Sequence, residues 1–257
     1  MKYWNETLAV AQRILIELIR RQRSLIFWMV FPISILIING YILAERSKLS
    51  LDDAFTNAAP MTLVGSALFF SCLGGSVATV VAEREQFTLK RLFISPLSGV
   101  SYFLGIFLAH TVIGIGQTLI VYGTTSWYGG EFKGNLGLGI MIVLLSILAY
   151  VGVGFIVGTQ LARRTEDVTA IIAAVGVPLL ILGGAFLPAS LFPEALLNIA
   201  KFNPIYHMTE ALNDVSANGK TIKDIEDHLN FLILFAITMV IGGWISYQIM
   251  VQVEKQL

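Results

Sequence analysis

Residues 25–43 read LIFWMVFPISILIINGYIL, nineteen consecutive residues without a charged side chain. A hydrocarbon layer about 30 Å thick needs roughly 20 apolar residues of α-helix to cross it. Five further apolar stretches follow, at about 58–81, 101–123, 136–160, 168–186 and 229–250. A soluble helix shows an apolar stripe and a polar face, whereas these segments are apolar all round. The sequence therefore predicts an all-α integral membrane protein with six transmembrane helices.

The composition excludes an ordinary soluble domain. Hydrophobic residues make up 56% of the 257 residues and charged residues only 13%, against about 25% charged residues in typical soluble domains. The formal net charge is zero, so no overall charge favours a nucleic-acid partner. We interpret residues 1–257 as a single membrane domain surrounded by the lipid bilayer.

The lysines and arginines are distributed unevenly between alternate connections. Eleven of the 17 lie before the first span, between spans two and three, between spans four and five, or after the sixth. The other six lie in the remaining connections. Because basic loops stay on the cytoplasmic side, both termini are predicted to be cytoplasmic, with the protein in the plasma (inner) membrane.

An amphipathic helix is predicted just before the first span, at residues 2–23. Apolar residues recur there at spacings of four and three: Trp4, Leu8, Ala11, Leu15 and Leu18. Charged residues, Glu6 and Arg13 among them, fall on the opposite face. Such a helix suits the plane of the cytoplasmic interface. The alternative is an ordinary helix packed against protein.

Two stretches carry a resemblance to a known family. The first lies between spans two and three: ERE at 83–85, TL at 88–89 and SPLS at 95–98. The second joins spans five and six: GGAFLP at 183–188, LFP at 191–193, NPIY at 203–206 and EAL at 210–212. In this order and at these positions, they resemble the membrane subunits of type-2 ATP-binding-cassette exporters.

The resemblance implies a transporter permease subunit rather than an enzyme. Two such subunits, identical or homologous, would form the path, and two separate ATPase subunits would bind ATP and Mg. This chain would carry no cofactor of its own. The substrate stays open, because members of the family move drugs, polysaccharides, lipids and other cargo.

The connection after the second span is the predicted contact with the ATPase subunits. It has the pattern of a short amphipathic helix over residues 83–97, which Pro96 stops. A solvated loop is the alternative. The predicted coupling residues are Glu83, Arg84, Glu85, Thr88, Leu89, Arg91 and Pro96.

A break in the fifth span is predicted at Gly183 and Gly184. Glycine weakens a helix by about 1 kcal/mol relative to alanine, and Pro188 and Pro193 prevent its simple continuation. The resemblance implies that the next segment re-enters the membrane and closes the path outside. The predicted gate residues are Gly183, Gly184, Phe186, Pro188, Phe192, Pro193, Asn203 and Pro204. A helix lying on the external surface is the alternative.

Polar residues inside the spans form a third set of candidates. His110 and Gln117 share a face of the third span, and Asn39 lies near the outer end of the first. Intramembrane polar groups usually face the bundle interior or a cavity. These three residues therefore either line the transport path or form hydrogen bonds between helices.

No catalytic or metal-binding motif accompanies these features. DVSANGKT at 214–221 ends like a phosphate-binding loop, but Asp214 replaces the glycine that must bend the backbone. The histidines His110, His207 and His228 are scattered along the sequence, so no metal site is predicted. ATP hydrolysis would come from another chain. A stand-alone carrier, channel or membrane scaffold without an ATPase partner is the alternative function.

Overall fold

A computed structural model describes residues 2–20, 22–86, 88 and 97–254. The regular elements of these ranges are helices, which we number in chain order. Their bounds are α1 Lys2–Arg20, α2 Gln22–Ser47, α3 Leu51–Glu85, α4 Gly99–Trp127, α5 Leu136–Leu161, α6 Thr165–Leu182, α7 Glu194–Ala200, α8 Pro204–Ser216 and α9 Glu226–Glu254. A 3-10 turn, Ala189–Leu191, lies between α6 and α7.

Six helices of the described chain, α2 to α6 and α9, are long and apolar enough to cross a membrane. The predicted all-α architecture with six spans is therefore confirmed. Among the six spans, the second differs most from its predicted bounds, because α3 begins at Leu51 whereas the predicted span begins at about residue 58. Asp52 and Asp53 lie in its first turn, where negative charge favours a helix start. Hydropathy alone does not detect such a polar first turn.

Helix α3 is the most enclosed of the six spans. In the most apolar stretch of α3, 72% of the residues are buried, against 17% in the corresponding stretches of α2 and α6. Helix α3 packs against α2, α4 and α5, and α5 packs along α9. We call the end that holds α1 and the α5–α6 connection the basic end. The opposite end, which holds α7 and α8, is the α8 end.

Three spans contain π-helical stretches that the sequence did not predict. They are Leu63–Gly74 in α3, Val157–Leu161 in α5 and Ile172–Gly176 in α6. The stretches of α3 and α6 meet, because the Phe69 ring packs against Gly176. Such turns are rare and often occur at functional sites. The contact between α3 and α6 is therefore less regular than a pair of ideal helices.

Helix α1 presents two different apolar surfaces. One is buried, mainly against α4, and comprises Val10, Ala11 and Ile14, with the buried Thr7 beside them. The other is exposed, with Trp4 at 60% and Leu8 at 42%. The first surface fits a helix packed on protein, and the second fits a helix that lies in a membrane interface. Packing on protein is therefore observed for one surface of α1, and a position in the membrane interface stays a prediction for the other.

Candidate functional site

The last turn of α3 carries three consecutive charged residues, which we call the charged triplet. The first, Glu83, is 8% exposed. Its carboxylate accepts hydrogen bonds from the Arg13 guanidinium of α1 and the Tyr102 hydroxyl of α4. Hydrogen bonds to ionised groups are roughly twice as strong as neutral ones. Glu83 therefore holds α1 against the α3–α4 pair.

The other two members, Arg84 and Glu85, join α3 to the α5–α6 connection. Arg84 donates to the carbonyl oxygens of Thr159 at 3.0 Å and Ala162 at 3.1 Å. These carbonyls end α5, where a cation is favourable. The Glu85 carboxylate accepts from the Thr165 backbone N–H at 3.2 Å and hydroxyl at 2.6 Å, at the start of α6. The charged triplet thus contacts α1, α4, α5 and α6.

The rest of the predicted coupling connection is described only in part. Thr88 is half-buried. Leu89, Arg91 and Pro96 lie outside the described residues, as does most of the short helix predicted for 83–97.

Helix α1 has a second anchor where the chain resumes before α4. The Glu6 carboxylate accepts from the Ser101 hydroxyl at 2.8 Å and the Ser98 backbone N–H at 3.2 Å. These bonds, the one from Ser101 foremost, lower the pKa of Glu6 from its ordinary value. Helix α1 is therefore fixed on both sides of the connection that follows α3.

At the α8 end, the chain turns sharply after α6. Gly184 has a φ of +76°, a left-handed conformation that glycine adopts without strain. A side chain at Gly183 would place its Cβ 2.5 Å from Ile205 Cγ2 of α8. The helix accordingly ends at Leu182 rather than at residue 186, and the break lies at the glycine pair.

Asn203 connects this turn to α8. Its Oδ1 accepts from the Ile205 backbone N–H at 3.0 Å, and its Nδ2 donates to the Leu179 carbonyl of α6 at 2.7 Å. Pro204 takes the first helical position, where a missing N–H has no cost. One side chain therefore both caps α8 and holds it to α6.

The other gate candidates lie between these two points. Phe186 is half-buried and packs against the main apolar core, whereas Phe192 is half-buried beyond the 3-10 turn. Pro188 and Pro193 precede that turn and α7, respectively. Apolar side chains here are exposed, at 65%, 41% and 55% for Leu191, Leu196 and Ile199. Re-entry into the membrane and gating stay predictions.

Helix α8 is a core element that our sequence reasoning did not identify. It packs against α3, α5 and α9. Its buried apolar side chains are Ile205, Met208, Ala211, Leu212 and Val215. Two signals were present in the sequence. Asn-Pro is a favourable helix start, and these apolar residues recur at spacings of three and four.

The three path candidates lie in different surroundings. His110 is 1% exposed, and its Nδ1 lies 3.1 Å from the Ser71 carbonyl of α3. The Gln117 amide of α4 donates to the Trp28 carbonyl of α2 at 3.0 Å. Both therefore form the interhelical hydrogen bonds considered as the alternative. Asn39 is half-buried on α2. A role in lining a path stays a prediction for all three.

Two histidines that looked scattered in the sequence are in contact. The Nδ1 atoms of His207 on α8 and His228 on α9 are 2.9 Å apart. His207 also stacks on Phe231 with a centroid distance of 3.9 Å, and burial lowers its pKa. Within the described residues, no group of three or more His, Cys, Asp or Glu side chains could hold a metal ion. The pair joins α8 to α9.

Comparison with known proteins agrees with this architecture. The family model described as ABC-2 type transporter matches residues 5–215. The chain is 28% identical over 138 residues to the probable multidrug ABC transporter permease YbhR of Escherichia coli K12. It is 28% identical over 162 residues to the linearmycin resistance permease protein LnrN of Bacillus subtilis 168.

The two alignments cover 53% and 63% of this chain, but only 37% and 42% of those relatives. The chain thus matches less than half of the length of these relatives. The family match is broader, because it includes five of the six spans, the charged triplet, the turn at Gly184 and nearly all of α8. The chain therefore belongs to the ABC-2 type transporter family and is a multi-pass membrane subunit of a transporter.

Proposed function

We propose that this chain forms part of the transport path of an ATP-driven exporter and is driven by separate ATPase subunits at its basic end. The charged triplet is the observation that carries this proposal. Its three residues contact four helices, so a displacement of α1 or of the connection after α3 would reach α4, α5 and α6 together. Packed interfaces of this kind convert small shifts into rearrangements of whole helices.

We propose that the basic end faces the cytoplasm, where ATP is available. Eleven of the 17 basic residues belong to this side of the sequence, including Arg163 and Arg164 in the α5–α6 connection. Basic connections are retained on the cytoplasmic side during insertion. Both termini would then be cytoplasmic, in the plasma (inner) membrane.

We propose that two such subunits associate, as identical copies or with a homologous permease. Helices α2 and α6 are the least covered spans. The exposed surface of α6 includes Ala170, Ala173 and Ala174. Small residues allow the close backbone approach on which association of membrane helices depends.

The names of the relatives support a substrate of drug-like size. One is described as a probable multidrug permease and the other as a linearmycin resistance permease. We accordingly propose that this chain exports amphiphilic small molecules rather than polysaccharides.

Glu85→Ala tests the coupling role. The variant removes the acceptor that binds the start of α6, while the spans themselves stay unchanged. We expect normal membrane insertion but reduced drug transport and reduced substrate-stimulated ATP hydrolysis. The assay uses proteoliposomes that contain this chain and a candidate ATP-binding-cassette ATPase subunit. The matched control is Glu45→Ala, which removes an exposed carboxylate near the carboxyl end of α2, at the α8 end of the bundle.

The outcomes separate the candidate functions. Loss of coupling in Glu85→Ala with normal activity in Glu45→Ala supports transmission through the charged triplet. Wild-type coupling in Glu85→Ala would refute it. Transport by the chain in the absence of any ATPase would instead favour the stand-alone carrier.

A further inference from the structure

A cavity of about 260 Å³ lies at the α8 end, between the end of α2, the start of α3, the turn after α6 and α8. Its walls include Met61 and Leu191, which are apolar, and the gate candidates Gly184 and Pro188. A molecule that passes the predicted gate would therefore meet this cavity.

Glu210 of α8 is the one charged side chain among the described residues that line the cavity. No ion pair or hydrogen bond to its carboxylate occurs within the described part of the chain. The nearby Lys220 is bound to Asp214, with Nζ and Oδ1 2.9 Å apart. Burial, and after it the negative charge of Asp214, raises the pKa of Glu210, and the positive charge of Lys220 offsets part of this shift. Within the described residues, the Glu210 carboxylate thus forms no ion pair, although the positive charge of Lys220 lies near enough to act on it.

Neighbouring side chains supply further oxygen atoms. Thr209 is 4% exposed, and its hydroxyl has no hydrogen-bond partner in the described residues. The Asn57 amide donates through Nδ2 to the Asp53 carbonyl at 2.7 Å, which leaves its Oδ1 as an acceptor. The cavity thus combines a carboxylate and uncharged acceptors with apolar walls.

We propose that this cavity binds the ammonium group of an organic cation, with Glu210 as its counter-ion. The N–H groups would donate to the Glu210 carboxylate and the Thr209 and Asn57 oxygens, while the hydrocarbon part contacts Met61 and Leu191. The assignment of the cavity to exported cations rests on the proposed function. The binding site itself does not.

The size and chemistry of the cavity favour an organic cation over an inorganic ion. At about 30 Å³ for each water molecule, the volume corresponds to roughly nine waters, far more than a bare ion needs. A calcium ion takes about six to eight oxygen ligands, which include carboxylates, carbonyls and waters. Here one carboxylate lines the cavity, and much of the remaining wall is apolar.

The test measures binding to the full-length chain in lipid nanodiscs by calorimetry, with empty nanodiscs as the blank. The probes are benzylammonium, which has both charge and N–H donors, and benzyl alcohol, which has neither charge nor ammonium. We expect benzylammonium to bind saturably and Glu210→Gln to weaken it about tenfold or more. Thr209→Val should weaken it roughly 2–10-fold. Glu194→Gln, which removes an exposed carboxylate of α7, should leave the affinity for benzylammonium unchanged.

Three results would overturn the proposal. One is equal affinity for benzylammonium in the wild type and Glu210→Gln. Another is equally tight binding of benzyl alcohol, which would assign the cavity to apolar contact alone. The third is displacement of benzylammonium by sodium at equal concentration, which would make it an inorganic cation site. Because Glu210→Gln removes an unpaired charge from a half-buried position, we expect this variant to fold.

Failure of this proposal is distinguishable from failure of the proposed function, because binding is measured without an ATPase subunit. Saturable binding that depends on Glu210, together with absent ATP-driven transport, would retain the site and refute the exporter. Transport of other amphiphiles with no benzylammonium binding would do the reverse.

Discussion

Removal of the Tyr102 hydroxyl tests whether Glu83 holds α1 in place. Tyr102 is 2% exposed and Glu83 is 8% exposed, so water does not replace the lost donor readily. A hydrogen bond to a charged group contributes about 1.5–3 kcal/mol. Tyr102→Phe keeps the ring, which stacks on Tyr247 at 5.5 Å. At about 2–4 °C per kcal/mol for a chain of this size, we expect the melting temperature to fall by about 3–12 °C.

Arg13→Gln removes the other partner of Glu83. Loss of one member of a fully buried ion pair costs about 3–5 kcal/mol, whereas an exposed pair contributes about 0–1 kcal/mol. The Arg13 side chain is 37% exposed and that of Glu83 11%, so we expect about 2 kcal/mol, between these limits. Because both variants act on one carboxylate, the double variant should deviate from additivity by about 0.5–3 kcal/mol.

The chain provides its own reporter for this measurement. Cys72 is its single cysteine and is buried in α3, so a thiol-reactive fluorescent maleimide reports unfolding of the bundle. Tyr41→Phe, at an exposed tyrosine of α2, is the control. If Tyr102→Phe melts at the same temperature as the wild type, and the free energies of the two single variants add up to that of the double variant within about 0.5 kcal/mol, Glu83 does not hold α1.

Three further predictions address orientation, the glycine turn and the unpaired carboxylate. A reporter fused to the carboxyl terminus should behave as cytoplasmic and one inserted at Asn218 as external; cytoplasmic access at Asn218 would contradict the orientation. Replacing both Gly183 and Gly184 by leucine should abolish transport but leave ATP binding by the partner intact. A side chain at Gly183 would collide with Ile205, and the positive φ of Gly184 would strain any other residue. Wild-type export by this variant would refute a gate at the glycine pair. The melting temperature of Glu210→Gln should be higher than that of the wild type at pH 8 and equal to it at pH 4.5. Because the pKa of Glu210 is raised in the folded protein, the wild type loses stability as this carboxyl ionises with rising pH. A difference in melting temperature that does not depend on pH would refute this prediction.

Much of the fold follows from local properties of the sequence. The stretch 25–43 must cross a bilayer because it is apolar and long enough, and the glycine pair ends α6 because it disfavours helix locally. Helix α8 shows where such reasoning stops. Its apolar spacing is visible, but its burial depends on α3, α5 and α9, which are distant in sequence.

The charged triplet shows the same limit at the candidate site. Three adjacent charges predicted a connection that faces a partner. In the structure, the three charges also contact helices of the same chain: Glu83 contacts α1 and α4, Arg84 contacts α5 and Glu85 contacts α6. No spacing rule identifies Arg13, Tyr102 and Thr165 as their partners, since contacts between residues 19 to 80 positions apart arise only when the helices pack.

The sequence by itself determined the six spans, the connections that alternate with them and the uneven distribution of basic residues among those connections, because hydropathy and charge act on each segment independently. Tertiary structure alone decided that Glu83 is buried, that His207 meets His228 and that Glu210 lines a cavity. Such features depend on which helix faces which, and on the π-helical turns that shift side-chain register within α3, α5 and α6. The packing of the whole bundle sets these facing surfaces, so no single segment encodes them.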